Sequence, residues 1–158
     1  MHVALFQPQI PGNTGTIGRM CVGFTAHLHI IGPCAFDFSS KALRRAGLDY
    51  WPHLHWTLHD GPEAFLIWLG NRQPWLVTKF GQVRYDQADY RSDDVILLGN
   101  EVRGLPADWR ARWANRSVNV PILGPVRSFN LANTAAVVVT QAMLASGAFA
   151  AYRPPSDS

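Results

Sequence analysis

Long apolar runs are missing from this sequence. A helix that crosses a membrane needs about 20 consecutive apolar residues, whereas the longest apolar run near the end of the chain extends only from Ala135 to Val139. The first residues, Met1–Gln7, contain no basic segment leading into an apolar one, so the sequence predicts no signal peptide. We therefore expect a protein without a membrane partner.

Cysteine and charge are also scarce. The two cysteines, Cys21 and Cys34, do not make a disulfide framework, which favours a reducing, cytoplasmic location. Charged residues make up 16% of the chain and hydrophobic residues 47%, which excludes a disordered chain and allows a packed core. The net charge of +3 permits an anionic partner without indicating one. The length of 158 residues predicts a single domain, 1–150, and a flexible tail, 151–158.

Strand-like and helix-like segments alternate along the chain. This alternation favours an α/β domain with a mainly parallel sheet and helices on both faces. Ligands of such sheets bind beyond the carboxyl ends of the strands, which directs attention to the loops after residues 7, 78, 98 and 122. The predicted strands are 3–7, 27–31, 51–58, 75–79, 95–98 and 117–122, and the predicted helices are 13–24, 39–47, 60–69, 105–113 and 131–146.

The loop after the first predicted strand has glycines at positions 12, 15 and 18. This spacing differs from the dinucleotide fingerprint G-x-G-x-x-G, and no Gly-Lys-Ser/Thr follows, so a Rossmann loop and a P-loop are both excluded. Two interpretations remain. One is a tight entry into a helix capped by Asn13. Asp60 is likewise expected to cap a later helix. The other is a site for an anion or an RNA phosphate, formed by Asn13 and backbone amides, with Arg19 further along the helix.

Two later loops carry polar residues among glycines and asparagines. Glu101 and Arg103 lie between Gly99 and Gly104, where the backbone can approach a ligand closely; a solvated ion pair is the alternative. Asn130 suits a helix cap, but a second asparagine, at 133, falls inside the predicted helix, where this residue is a poor helix former. Two amides on one face suggest recognition of backbone or ligand groups.

Histidine pairs invite a metal hypothesis. His27 and His29 share one face of a predicted strand, and His53 and His55 form a second such pair. Zinc sites use such ligands, but no cysteine or carboxylate cluster completes one. We therefore expect structural or surface histidines and no metal.

Together the three loops resemble those of the SPOUT-class RNA 2′-O-methyltransferases. The matching signatures, in the family's order and spacing, are Asn13-x-x-x-x-x-Arg19, Gly99-Asn100-Glu101-x-Arg103-Gly104-Leu105-Pro106 and Ser128-Phe129-Asn130-Leu131-Ala132-Asn133. The segments 10–15 and 43–50 resemble the TrmL branch of the family, bacterial enzymes that methylate the wobble nucleotide of tRNA, cytidine or uridine. The resemblance covers residues 1–147. The chain departs from that branch at Asn100, where proline is usual, and at Phe129, where methionine is common.

The resemblance implies S-adenosylmethionine (SAM) as the cofactor and a fold whose C-terminal part is tied in a trefoil knot. It also implies a homodimer, in which the first and last helices pack at the interface and each site is completed by the partner. The residues that it assigns to SAM are Val77, Gly99, Val120, Ile122 and Ser128.

The catalytic residues that the resemblance implies are Arg19, Glu101, Ser128 and Asn130. The pKa of arginine lies above about 12, so we favour Arg19 as a clamp on the target phosphate, oriented by Glu101, over Arg19 as a neutral base. Ser128 and Asn130 would position the ribose or the methionine end of SAM.

The implied partner is tRNA, and the sequence offers basic residues for its phosphates. The candidate RNA-binding residues are Asn13, Arg44, Arg45, Arg103 and Arg127. Alternatives to wobble methylation are the same reaction at another tRNA position or on rRNA, and RNA binding without catalysis.

Overall fold

The computed structural model of the protein describes residues 1–38 and 49–154. Within these ranges no helix is long and apolar enough to cross a membrane. Two short segments, Trp51–His53 and Ala114–Arg116, form 3-10 turns. The strands are β1 (His2–Phe6), β2 (His27–Ile31), β3 (Trp56–His59), β4 (Trp75–Val77), β5 (Val83–Arg84), β6 (Val95–Leu98) and β7 (Ser117–Asn119), and the helices are α1 (Pro11–Gly23), α2 (Pro62–Leu69), α3 (Ala107–Arg112) and α4 (Leu131–Ala145).

The strands form one seven-stranded sheet in the order β3-β2-β1-β6-β4-β7-β5, and every neighbouring pair is parallel. Leu5 of β1 pairs with Ile30 of β2 on one side and with Leu98 of β6 on the other. The predicted α/β class with a mainly parallel sheet is therefore confirmed. Because the strands are parallel, the loops that follow β1, β4, β6 and β7 gather at one edge of the sheet.

Alternate strand residues face two separate cores. Leu5 lies in a buried cluster with Ile17 of α1 and Val138 of α4. Its neighbour Phe6 lies in a second cluster with Phe65 of α2 and Trp109 of α3. Side chains of a strand alternate between the two faces of the sheet, so continuous apolar strands need helices on both faces, as predicted.

Two helices do not begin as predicted. α1 begins at Pro11, so Asn13 lies inside its first turn and does not cap it. α2 begins at Pro62, so Asp60 lies one residue too early to be its cap. Proline lacks an N–H and has a fixed φ, which suits the first helical position. Both predicted caps were therefore wrong, because proline sets the first residue of each helix.

Several predictions fall outside the described ranges. The predicted helix 39–47, including Arg44 and Arg45, lies in the segment 39–48, and the last residues of the predicted tail lie in 155–158. The trefoil knot and the limits of the single domain stay predictions.

Candidate functional site

A cavity of about 830 Å³ opens beyond the carboxyl ends of β4 and β6. Three of the five residues expected to hold a cofactor line it, namely Val77, Gly99 and Ser128. The other two, Val120 and Ile122, are not among its described wall residues; they precede the loop that carries Ser128. Of the predicted catalytic residues, three line this cavity: Ser128, Glu101 and Asn130.

Gly99 is required by a close approach of backbone to backbone. A Cβ atom at this position would lie 2.5 Å from the carbonyl carbon of Gly104 and 2.6 Å from the nitrogen of Leu105. The approach arises because the loop folds back on itself: the Gly104 N–H donates to the Asn100 carbonyl across 2.8 Å. Gly104 itself has a φ of +70°, a conformation that favours glycine. The two glycines therefore shape the cavity wall.

Asn100 holds this loop against the end of β1. Its Nδ2 donates to the Gln7 carbonyl across 2.6 Å, and its Oδ1 accepts from the backbone N–H groups of Val102 and Arg103 at 2.9 and 3.0 Å. The side chain is buried; its oxygen is bonded within the loop and its nitrogen to the end of β1. The departure from proline at this position therefore has a structural explanation.

Glu101 occupies the space before α1. One carboxylate oxygen accepts from the Gln9 N–H at 2.8 Å, and the other accepts from the Ile10 N–H at 3.1 Å and from Asn13 Nδ2 at 3.2 Å. A negative charge at a helix N-terminus is stabilised by the helix dipole. This carboxylate therefore supplies, from another loop, the stabilisation that α1 lacks from a capping side chain of its own.

Asn130 begins α4 and also contacts the first loop. Its Oδ1 accepts from the N–H groups of Ala132 and Asn133, which confirms the predicted cap. Its Nδ2 donates to Asn13 Oδ1 across 3.0 Å. Glu101, Asn13 and Asn130 thus form a continuous hydrogen-bonded chain through all three loops.

Arg19 is not among the described wall residues of the cavity. Its side chain is 66% exposed and forms an ion pair with Asp49 at 3.3 Å, a contact that contributes little stability in water. The guanidinium lies 4.6 Å from the ring centre of Tyr50, whose hydroxyl donates to the Gly15 carbonyl. Glu101 has other partners, so it does not orient Arg19 within one chain.

Basic side chains surround the cavity. The predicted RNA-binding residues Arg103 and Arg127 line it, together with Lys79 and Arg110, which were not predicted from the sequence. The Phe80 side chain is 64% exposed, and its ring centre lies 5.2 Å from the Lys79 ammonium and 5.1 Å from the Arg110 guanidinium. The sequence indicates the loop after residue 78, which carries Lys79. Arg110 lies on α3, and its proximity to this loop is known only from the fold.

Comparison with known proteins identifies the family. Residues 1–140 match the sequence profile of the SpoU rRNA Methylase family. The chain belongs to this family. A relative from Methylovorus glucosotrophus (strain SIP3-4), named tRNA (cytidine(34)-2′-O)-methyltransferase, is 36% identical over 141 residues, which cover 89% of this chain and 92% of the relative. The family resemblance predicted from the three loops is confirmed.

Solved structures of SpoU relatives have the same fold. One, described as "Structural insights into the 2-OH methylation of C/U34 on tRNA", has a TM-score of 0.84 and 39% identity, covering 91% of this chain and 94% of that chain. An AdoMet-bound rRNA methyltransferase from Sinorhizobium meliloti has a TM-score of 0.77 and 29% identity, covering 90% of this chain and 55% of that chain.

Proposed function

We propose that this protein transfers a methyl group from SAM to the ribose 2′-hydroxyl of the wobble nucleotide of tRNA, cytidine or uridine. The observation that carries the proposal is the meeting of the three family loops at one cavity with basic residues around it. The relative named for methylation of cytidine 34 and the structure described for C/U34 support the same nucleotide. A tRNA substrate also favours a cytoplasmic location.

The cavity suits SAM in size and in the character of its walls. Its volume falls within the range of about 300–1,000 Å³ that is usual for small-molecule sites. Val77 would contact the apolar part of the cofactor, the backbone at Gly99 would lie against it, and the Ser128 hydroxyl would bond to its polar end. When bound there, SAM supplies a methyl group made electrophilic by the adjacent positive sulfur.

The residues of the chain would orient and activate the ribose hydroxyl. Ser128 and Asn130 line the cavity and can position the ribose. Glu101 is engaged by three N–H donors, so its role in this proposal is to hold α1 and Asn13 in place. Arg19, permanently charged, would clamp the target phosphate and make the nearby hydroxyl more acidic.

We propose that the protein works as a homodimer in which Arg19 reaches the partner's cavity. Arg19 is exposed on α1 and is not part of the described wall of its own cavity. Apolar side chains before and on α4 are also exposed, including Leu123 at 99% and Leu144 at 61%. Such a surface suits burial against a second copy.

A methyl-transfer assay tests the proposed function. The purified protein is incubated with labelled SAM and with cellular tRNA lacking this modification, and the product is mapped by nuclease digestion and mass spectrometry. A 2′-O-methyl group on the wobble cytidine or uridine is the expected result. A methyl group at another tRNA position or on rRNA would overturn the proposed target, and SAM binding without transfer to any RNA would overturn the proposed activity.

A further inference from the structure

Four imidazoles lie together on the sheet face that is covered by α2. His2 begins β1 and is paired in register with His27 of β2, while His59 ends β3. His29 lies two residues beyond His27 and therefore on the same face. Of these four histidines, the sequence pattern groups only His27 with His29, and the parallel pairing of β1 with β2 adds His2.

The ring nitrogens converge within this cluster. His2 Nδ1 lies 3.0 Å from His29 Nε2, and one ring nitrogen from each of His2, His27 and His29 lies within 4.8 Å of the others. The His27 and His29 rings are stacked, with their centres 4.4 Å apart. One nitrogen from each of the three histidines therefore lies near the other two, and the His27 ring has to turn out of its stack with His29 before both can face one ion.

Burial disfavours the charged form of these rings. His29 is 1% exposed, and desolvation lowers its pKa to about 2; desolvation likewise lowers the pKa of His2 to about 4. A neutral imidazole carries one N–H and one free lone pair. Histidine binds metal ions in this neutral form.

We propose that His2, His27 and His29 bind a divalent transition-metal ion such as Zn²⁺. Zinc bonds to histidine nitrogen at about 2.0–2.1 Å in tetrahedral geometry, which places two ligand nitrogens about 3.3 Å apart. The facing nitrogens of His2 and His29 are 3.0 Å apart, so the ion could replace the hydrogen between them after a small shift. Water would take the fourth position, since His2 and His27 are only half-buried.

The outer contacts of the cluster suit metal ligation. His29 Nδ1 lies 3.0 Å from His59 Nε2, and His27 Nε2 lies 2.8 Å from the Thr57 hydroxyl. Metal-binding histidines usually bond through their second nitrogen to a polar partner that fixes the ring orientation. His29 already has such a partner in His59, and the Thr57 hydroxyl offers one to His27.

Nearby charges moderate the proposed affinity. The N-terminal ammonium of Met1 lowers the pKa of His2, and Arg72, stacked 3.9 Å over the Trp68 ring, lowers the pKa of both His2 and His29. Both of these cations would repel a metal ion. Asp93 acts on His2 in the opposite direction. None of the three histidines lines the cavity described above. We therefore expect the ion to affect the stability of the fold and not methyl transfer.

The test uses chelator-treated protein without a histidine tag. Titration with Co²⁺ should give a saturable visible absorption typical of tetrahedral nitrogen ligands, at one equivalent per chain, and Zn²⁺ should displace it. Zn²⁺ should also raise the Tm, because an ion that binds only the folded state stabilises it. Absence of saturable binding of both ions to the unmodified protein would overturn the proposal.

Two matched variants locate the ion. His27→Gln removes a half-buried ligand and should weaken Co²⁺ binding by at least about tenfold, whereas His53→Gln changes an exposed histidine in the turn before β3 and should leave it unchanged. Retention of binding in His27→Gln with loss in His53→Gln would assign the ion to exposed histidines and overturn the proposal. Should His27→Gln fail to fold by circular dichroism, His2→Gln provides the same comparison.

Discussion

Asn130 Nδ2 donates a hydrogen bond to Asn13 Oδ1 across 3.0 Å, although the two residues are 117 positions apart in the chain. The other polar atom of Asn13, its Nδ2, donates to Glu101. Asn13 is 7% exposed, so both bonds are largely shielded from water. One buried amide therefore joins the three loops that carry the family motifs, and the shape of the site depends on it.

The first prediction concerns this amide. Asn13→Ala removes both hydrogen bonds and leaves Glu101 and Asn130 each without one bonding partner. We therefore expect a loss of about 1–3 kcal/mol in the free energy of unfolding. Urea denaturation followed by circular dichroism measures the change. Asn71→Ala, at an exposed asparagine after α2, is the matched control and should change stability by less than about 0.5 kcal/mol. Equal effects of the two substitutions would contradict the role given to Asn13.

The same amide illustrates what could be predicted from the sequence. The run Val95–Leu98 is continuous and apolar and is followed by Gly99, so local pattern alone predicts β6 with its observed bounds. Local preference predicts a helix cap at Asn13, which is one of the two interpretations of its loop. Its actual partners, Glu101 and Asn130, come from loops that only the assembled sheet brings together.

Other features were not predictable because they depend on neighbouring elements. The strand Val83–Arg84 has two residues and no pattern of its own; it exists through pairing with β7. The aromatic ring of Phe80 is flanked by Arg110 only because α3 packs beside the loop after β4. His2 joins the histidine cluster through strand pairing. The loops that form the site could therefore be predicted from the sequence, but the residues that they contact could not.

The second prediction concerns the backbone contact at Gly99. Gly99→Ala would place a Cβ 2.5 Å from the backbone of Gly104, so the loop must move and we expect SAM affinity to fall by at least about tenfold, equivalent to 1.4 kcal/mol. Gly124→Ala is the matched control, since a Cβ there meets no atom within 4 Å. Isothermal titration with SAM measures both. A Gly99→Ala protein with normal affinity would show that this loop does not shape the cofactor site.

The third prediction concerns the basic residues around the cavity. Arg103→Gln and Arg127→Gln should each weaken tRNA binding and lower the slope of log affinity against log salt by about 1, because each removes one phosphate contact. Arg91→Gln, an exposed arginine paired with Asp89, is the control and should change neither quantity. Filter binding at several salt concentrations gives the slopes. Unchanged slopes in both cavity variants would remove them from the RNA interface.

The fourth prediction concerns Arg19 and the proposed dimer. Arg19→Ala should lower methyl transfer by about 100-fold or more, the effect of removing one charge-stabilising donor. SAM affinity should stay within a few-fold, since Arg19 is not among the described wall residues of the cavity. Labelled SAM measures transfer and isothermal titration measures binding, with Arg91→Ala as the control. Loss of SAM binding in Arg19→Ala would contradict the role proposed for this residue.

Mixed dimers test whether Arg19 acts in the site of its own chain or in the site of its partner. When Arg19→Ala and Gly99→Ala chains are refolded together, a mixed dimer has one site with an intact cavity that faces the intact Arg19 of its partner. If Arg19 acts across the interface, random pairing should restore about a quarter of the original activity. If Arg19 acts within its own chain, every site lacks either a sound cavity or its arginine, and mixing restores nothing. Sedimentation of the same mixture must show dimers, and a stable 17.6 kDa monomer would contradict the shared site itself.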